Sequence, residues 1–444
     1  MLHKRLYKLI SIVGWGEWLS LNKNWGETQM DKSPEELYQE RNKRIDDAIR
    51  MKIPDRVPVM MSFGYFPAKY TGITCKDAWY DIDKWLEATK KTVIDFEPDG
   101  LWTIQGFSPG PVLDYIDPKT VKWPGHGVAD NYGHQAIEAE NLKADEYDYY
   151  FTDRSDFMLR TLLPRTAGAL ESFKMLPPLS SLGAGYFGAV ALGQAFARPE
   201  VAAAIETLQK AGREMGKYRA KMMTFGSEIE KLGFPVNNTP GGAAPFDMIS
   251  DFLRGMHGAM LDMYRQPDKL LELCEQQLSA TLKRIEAMPP VSGNGRAFMA
   301  LHRGSDGFMS LKQFETFYWP SFKKVVLALV DKGITPCPFF EGIWNARLEY
   351  LLEFPRGKVL CHFAQTDMVL AKKVLGGHLC IMGDVPSTIL QAGTVQDVKD
   401  YCKRLIDICG KDGGYILTNM PINYAKPENV KAMVDFTKEY GVYN

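Results

Sequence analysis

From Thr335 to Gly383 the chain reads TPCPFFEGIWNARLEYLLEFPRGKVLCHFAQTDMVLAKKVLGGHLCIMG. Three apolar runs lie in this stretch, Thr335–Glu341, Val359–Ala364 and Leu379–Gly383, each bounded by turn residues. They are continuously apolar rather than alternating, the pattern of parallel strands covered on both faces. Working outward, five further runs of the same kind appear: Pro58–Phe66, Gly100–Phe107, Phe234–Thr239, Ala297–His302 and Tyr415–Asn419. The stretches between them carry helical signals. Ser33 and Pro34 cap and open a helix that ends before Pro54, and Arg198-Pro199-Glu200 opens a long alanine-rich helix closed by Gly233. Thr394 and Asp397 begin another, and Pro427 starts the last. Strand then helix, eight times over, predicts an α/β chain folded as one (β/α)8 TIM barrel across residues 31–444.

Residues 108–197 are too long for one barrel unit. They hold WPGHGV at Trp123–Val128, the acidic and tyrosine-rich ADEYDYYFTDRSDF, and SSLGAGYFGAV. No Pro/Ser-rich linker isolates them, which predicts an insertion covering the barrel mouth rather than a second domain. Residues 1–30 are read as an N-terminal extension, basic and then apolar. The apolar run is short, holds two tryptophans and lacks a small-residue cleavage site. An interfacial anchor, or a start placed upstream of Met30, is expected there rather than a secretion signal.

The 53 basic and 54 acidic residues leave a net charge of −1, so no general attraction to nucleic acid or anionic membranes exists. Seven cysteines, an odd number without C-x-x-C, suit reduced thiols in a cytoplasmic protein. No window approaches the roughly 18 apolar residues of a membrane span.

In a barrel, chemistry sits where the strands end. Those positions hold Tyr65, Gln105, Asn237, Asn238, His302 with Arg303 and Asp306, Glu341, His362, Asp384, and Asn419 with Met420. Glu341 and His362 close neighbouring runs, and a carboxylate and an imidazole so placed offer two ligands to zinc. The alternative is a plain Glu–His hydrogen bond, or a pairing of Glu341 with Arg347. In LHRGSDGF, His302 is a candidate acid or base, and Arg303 a holder of carboxylate or phenolate. Asp306 is either a third polar group of that site or the cap of a helix near Leu311. Asp247, after a Gly/Ala-rich loop, is a candidate catalytic carboxylate or a helix cap. Tyr65, Trp102, Asn237, Arg303 and Phe339 are expected to bind substrate, with Trp102 and Phe339 stacking on a flat ring. His126 and His134 read as structural. No G-x-x-x-x-G-K-[ST] phosphate loop occurs.

The runs FFEGIWNARLEYLLEF, GKVLCHFAQTDMVLAKKVLGGHLCIMGDVPSTILQAGTVQDVKDYCKRLID and GGYILTNMPINYAKPENVKAMVDFTKEYG resemble the uroporphyrinogen-decarboxylase-like superfamily. That superfamily includes the decarboxylase and the methyltransferases that work with corrinoid proteins. The resemblance spans residues 45–444. The decarboxylase's arginine-rich R-Q-A-G-R-Y type of motif is replaced here by PVMMSFGYFPAKY, which leaves a poly-carboxylate without cations. Where the methylcobalamin:thiol branch has a His-x-Cys pair and a later Cys as zinc ligands, this chain has Phe339, Glu341 and about Met420. The O-demethylase branch is closer. Its zinc motif ends in Glu, twenty residues, His, the spacing of Glu341 and His362, although its earlier glutamate would fall at Val326.

The resemblance therefore implies transfer of a methyl group from a methoxylated aromatic, or a related O- or N-methyl donor, to cobalamin carried by a partner corrinoid protein. It implies zinc on Glu341 and His362, proton transfer by His302 or Asp247, and a homodimer. A decarboxylase, a thiol methyltransferase and a non-catalytic ligand-binding barrel are the competing expectations.

Overall fold

The computed structural model describes residues 32–103, 106, 107, 109–237, 239–291 and 295–443. The N-terminal extension, Gln105 and Asn238 therefore lie outside the described residues.

The chain folds as a TIM barrel. Its ring is built from β1 (Met60–Ser62), β2 (Gly100–Thr103), β6 (Arg296–Leu301), β7 (Thr335–Phe340), β8 (Leu360–Phe363), β9 (Cys380–Val385) and β10 (Tyr415–Asn419). Strands β6 to β10 form one parallel sheet in chain order, and β1 pairs in parallel with β2. The two sheets join where Val59 bridges Leu417 and Phe63 bridges Ile422. The Asn419 amide ties the same edge, donating to the Ser62 carbonyl at 2.8 Å and accepting from the Ser62 N–H at 3.2 Å.

The expected third strand, Phe234–Thr239, is reduced to one parallel bridge between Val236 and Leu101. Pro235 has no N–H to give to a ladder. Among the described residues no pairing joins this segment to β6, so the ring has a seam there. The first run is also shorter than expected, because Pro67 sits in the first turn of a helix that begins at Phe66.

The pleat sorts the strands into two faces. Met60, Trp102, Cys337, Leu360, Cys380, Met382 and Ile416 cluster inside the ring with Phe298. Their neighbours in sequence, such as Leu101, Phe340, Cys361, Ile381 and Leu417, pack outward against the helices. The helix Pro34–Ile49 starts with a Ser33–Glu36 capping box and Pro34. It presses Ile45, Ala48 and Ile49 into the inward cluster at the N-terminal ends of the strands. Burying each isoleucine contributes roughly 2 kcal/mol, and a charge at position 45 would reverse that gain. The long helix Pro199–Lys231 is closed by Gly233, whose φ of +91° favours glycine. All seven cysteines are buried free thiols.

The insertion carries a small sheet of β3 (Val121–Pro124), β4 (Gly127–Val128) and β5 (Gln135–Ala136), with short helices around it. It is pinned to the helical segment 245–265 at several points. Leu142 N–H donates to the Leu253 carbonyl at 2.7 Å, the Tyr147 hydroxyl donates to Asp262 at 2.7 Å, and buried Arg254 donates to the Leu142 carbonyl. Among the described residues no helix is long and apolar enough to cross a membrane.

Candidate active site

Beyond the buried aromatic layer, the next inward positions of β6, β7 and β9 are His302, Glu341 and Asp384. The register supports this: Ala300 faces Phe339, Phe339 faces His362, and His362 faces Met382. Each polar residue stands two positions further along its own strand, on the same face.

His302 is held by a second element. The helix Pro245–Ile249 runs into a wider π turn, Ser250–Arg254, a distortion that recurs at functional sites. Asp247 and Asp251 are four residues apart there and face the same way. Asp251 meets His302 Nδ1 at 2.5 Å and Arg303 Nη2 at 3.1 Å. A carboxylate only accepts, so Nδ1 carries the proton and Nε2 is turned to the mouth, 3.7 Å from Glu341. The hydrogen bond to Asp251 raises the His302 pKa, outweighing a burial that lowers it. Glu341 is also pushed up, by its partial burial. Both shifts run in the direction that favours the protonated form.

Asp247, expected to be a catalytic carboxylate or a helix cap, is enclosed by hydrogen-bond donors. It is 2% exposed, accepts from the Tyr318 hydroxyl at 2.7 Å and the His302 N–H at 3.1 Å, and takes the Arg303 N–H at 2.9 Å. Burial raises its pKa to about 6. With its oxygens so occupied it fixes the backbone that presents His302. Arg303 is drawn back by Ser250 and Asp251, with its guanidinium over the Phe308 ring. Gly304 is required: a Cβ there would stand 2.2 Å from Trp344 and 2.8 Å from Tyr318.

Asp306 does not join this group. Its carboxylate pairs with buried Arg347 and accepts from the Ala346 N–H at 3.0 Å, bracing the loop after β7. It does not cap the next helix either, since Ser310 and Gln313 form that box. Tyr65, expected to touch substrate, is 3% exposed, and its hydroxyl accepts from Trp79 Nε1 at 2.7 Å and meets His134 Nδ1 at 3.0 Å. Its ring stacks on Phe107 at 4.3 Å, so it belongs to an aromatic wall of the core. His126 stacks on Trp123 at 4.2 Å.

Trp102 and Phe339 lie inside the barrel, but each turns toward His362, at 5.2 Å and 4.4 Å between ring centres. His362 is fully buried with neither ring nitrogen hydrogen-bonded, and desolvation drops its pKa to about 3. No ion pair or hydrogen bond joins it to Glu341, which faces His302 instead. A catalytic zinc needs about three protein donors round an open position. Among the described residues no three His, Cys, Asp or Glu side chains are gathered closely enough to hold a metal ion. The expected Glu341–His362 ligand pair thus does not fit zinc.

Two participants escaped the sequence reading. Asp251 is one; its signal was the four-residue spacing from Asp247. Asp384 is the other, noted at a strand end but given no role. It is 6% exposed, and burial raises its carboxyl to about 8. Asn237 lies apart from the mouth, in a cleft on the barrel's flank.

A strand-built barrel with its polar groups at one rim agrees with comparison to known proteins. The family described as Uroporphyrinogen decarboxylase (URO-D) matches residues 199–440. The chain belongs to that family. This uroporphyrinogen-decarboxylase family member is also similar to a solved structure, a methyltransferase from Methanosarcina mazei, at 14% identity and a TM-score of 0.57. The match covers 90% of this chain and 98% of that one. No curated protein matches the chain in sequence.

Proposed function

We propose that this family member is a methyltransferase that moves a methyl group from a small methylated donor, an aryl methyl ether or a related O- or N-methyl compound, to the cobalt of a corrinoid carried by a partner protein. The observation that carries the reading is His302, held by Asp251 with Nε2 turned to the mouth. An aryl oxide leaves poorly unless its oxygen is neutralised. His302 supplies the proton from Nε2 as the carbon–oxygen bond breaks, the oxygen keeps the bonding pair, and Asp251 holds the imidazole in place. The partner's corrinoid, when docked, supplies the nucleophile that takes the methyl group. Asp247 and Tyr318 hold the His302 loop still, and Glu341 stands where it can receive a hydrogen bond from the donor. A docking face is available beside the site: Met256, Met260 and Tyr264 stand four residues apart on one helix, 37%, 37% and 76% exposed, and Met256 touches Arg303.

The test is an assay of the purified chain with a corrinoid protein reduced to Co(I) and a panel of methoxylated aromatics, followed by the visible spectrum of the corrinoid. Methyl transfer is expected. His302→Gln should slow it by roughly 10²-fold or more with an unchanged melting temperature. Transfer to a thiol without any corrinoid protein, or full activity in His302→Gln, would overturn the reading.

A further inference from the structure

The helical segment that carries Asp251 is broken at Gly255, and the insertion fills the break. Gly255 has φ of +69° and ψ of 163°, a conformation almost confined to glycine, so the π turn Ser250–Arg254 and the helix Gly255–Arg265 do not run on as one. In an unbroken helix the N–H groups of Met256 and His257 would bond the carbonyls of Phe252 and Leu253. Here residues 138–142 take all four. Glu138 Oε1 accepts from the Met256 N–H and, at 3.4 Å, from the His257 N–H. Asn141 Nδ2 donates to the Phe252 carbonyl at 3.1 Å, and the Leu142 N–H to the Leu253 carbonyl at 2.7 Å. A Cβ at position 255 would stand 3.2 Å from Glu138 Oε1 and 3.3 Å from the Ala139 carbonyl oxygen, so the two segments lie tight together. Buried Arg254 braces the same joint, donating to the Leu142 carbonyl and pairing with Asp262. Four residues before the joint, Asp251 spends one oxygen on His302 Nδ1 at 2.5 Å and the other on Arg303 Nη2 at 3.1 Å. Its reach to the imidazole therefore depends on where the broken segment is held.

We propose that residues 138–142 are a splint for the active site and that Glu138 is a positioning residue: by satisfying the groups freed at Gly255 they hold the joint open and keep Asp251 against His302 Nδ1. Loss of the Glu138 carboxylate frees two N–H groups to close on the Phe252 and Leu253 carbonyls, and the turn that carries Asp251 shifts with them. The inference extends the methyl-transfer reading, but the His302 tautomer that tests it needs no methyl donor.

The full chain, with nitrogen-15 in its histidines, tests it. Ring nitrogen shifts, read through the ring C–H protons at a pH that leaves one ring proton, tell an Nδ1–H imidazole from the Nε2–H form that free imidazoles prefer, and His302→Gln identifies the signal by its loss. The parent is expected to show Nδ1–H at His302. Glu138→Ala, a change at an exposed position, should move most of that signal to Nε2–H with the melting temperature near the parent's, and Glu138→Gln, which keeps an accepting oxygen, should restore Nδ1–H. Glu171→Ala, an acid of the same insertion paired with Lys119 and Lys174, should leave the tautomer alone. In the corrinoid assay Glu138→Ala should lower kcat about tenfold or more at an unchanged KM for the donor. A parent without the Nδ1–H form, an unchanged tautomer in Glu138→Ala, or an equal change in Glu171→Ala would each overturn the proposal. A chain that shows the expected tautomers yet transfers no methyl group would sink the reaction and leave the splint standing.

Discussion

His302 owes its proton to a carboxylate on another element, and that makes its behaviour with pH predictable. Asp251 raises the pKa of His302, so the favourable pairing is complete at pH below the ordinary histidine range and is lost as pH rises through the raised value. Asp251→Asn removes the cause. The alkaline limb of the pH–rate profile should then move toward acid, with turnover depressed at pH 7.5 and largely restored near pH 6. An unmoved limb would show that another group titrates. At this scale the sequence was half legible. His302 could be read from its place at a strand end, but Tyr65 and Asp306 could not be told from true site residues. The difference lies in partners that only the fold supplies: Trp79 and His134 occupy the Tyr65 hydroxyl, and Arg347 occupies Asp306.

Among the elements, the loop after β7 depends on the Arg347–Asp306 pair. Arg347 is 2% exposed and also donates to the Met309 carbonyl. Arg347→Met would leave a partly buried carboxylate and a carbonyl without their cation, a loss of about 3 kcal/mol. Calorimetry should show a drop of several degrees in melting temperature. Because the loop braces the segment that carries Glu341, methyl transfer should fall with it. A melting temperature within one degree of the parent would mean that the pair contributes little. The strands were legible because short continuous apolar runs bounded by turn residues have few other uses in a globular chain. The third run was misread because FPVNNT has the composition of a strand while Pro235 denies it a donor. The π turn at Ser250–Arg254 left no mark in the sequence at all, since wide turns are set by what packs against them.

For the whole molecule, the proposed reaction would run at the end of the barrel where the polar groups gather, and the corrinoid protein would have to dock there. The exposed face of Met256, Met260 and Tyr264 predicts how it docks. Met260→Glu should raise the KM for the corrinoid protein about tenfold or more while leaving both the melting temperature and the KM for the methyl donor near parental values, because a charge there opposes apolar contact without touching the core. Equal KM values for the corrinoid protein would move the docking face elsewhere.

The N-terminal helix Pro34–Ile49 carries one more consequence for this architecture. With Ile45, Ala48 and Ile49 wedged against Met60, Leu360 and Cys380, the ring works as a cup and not as a pipe. What enters at the rim finds no exit past that helix. On the proposed reaction a seated corrinoid protein would then also be a lid, so the order in which donor, partner and product come and go would be constrained by the floor of the vessel.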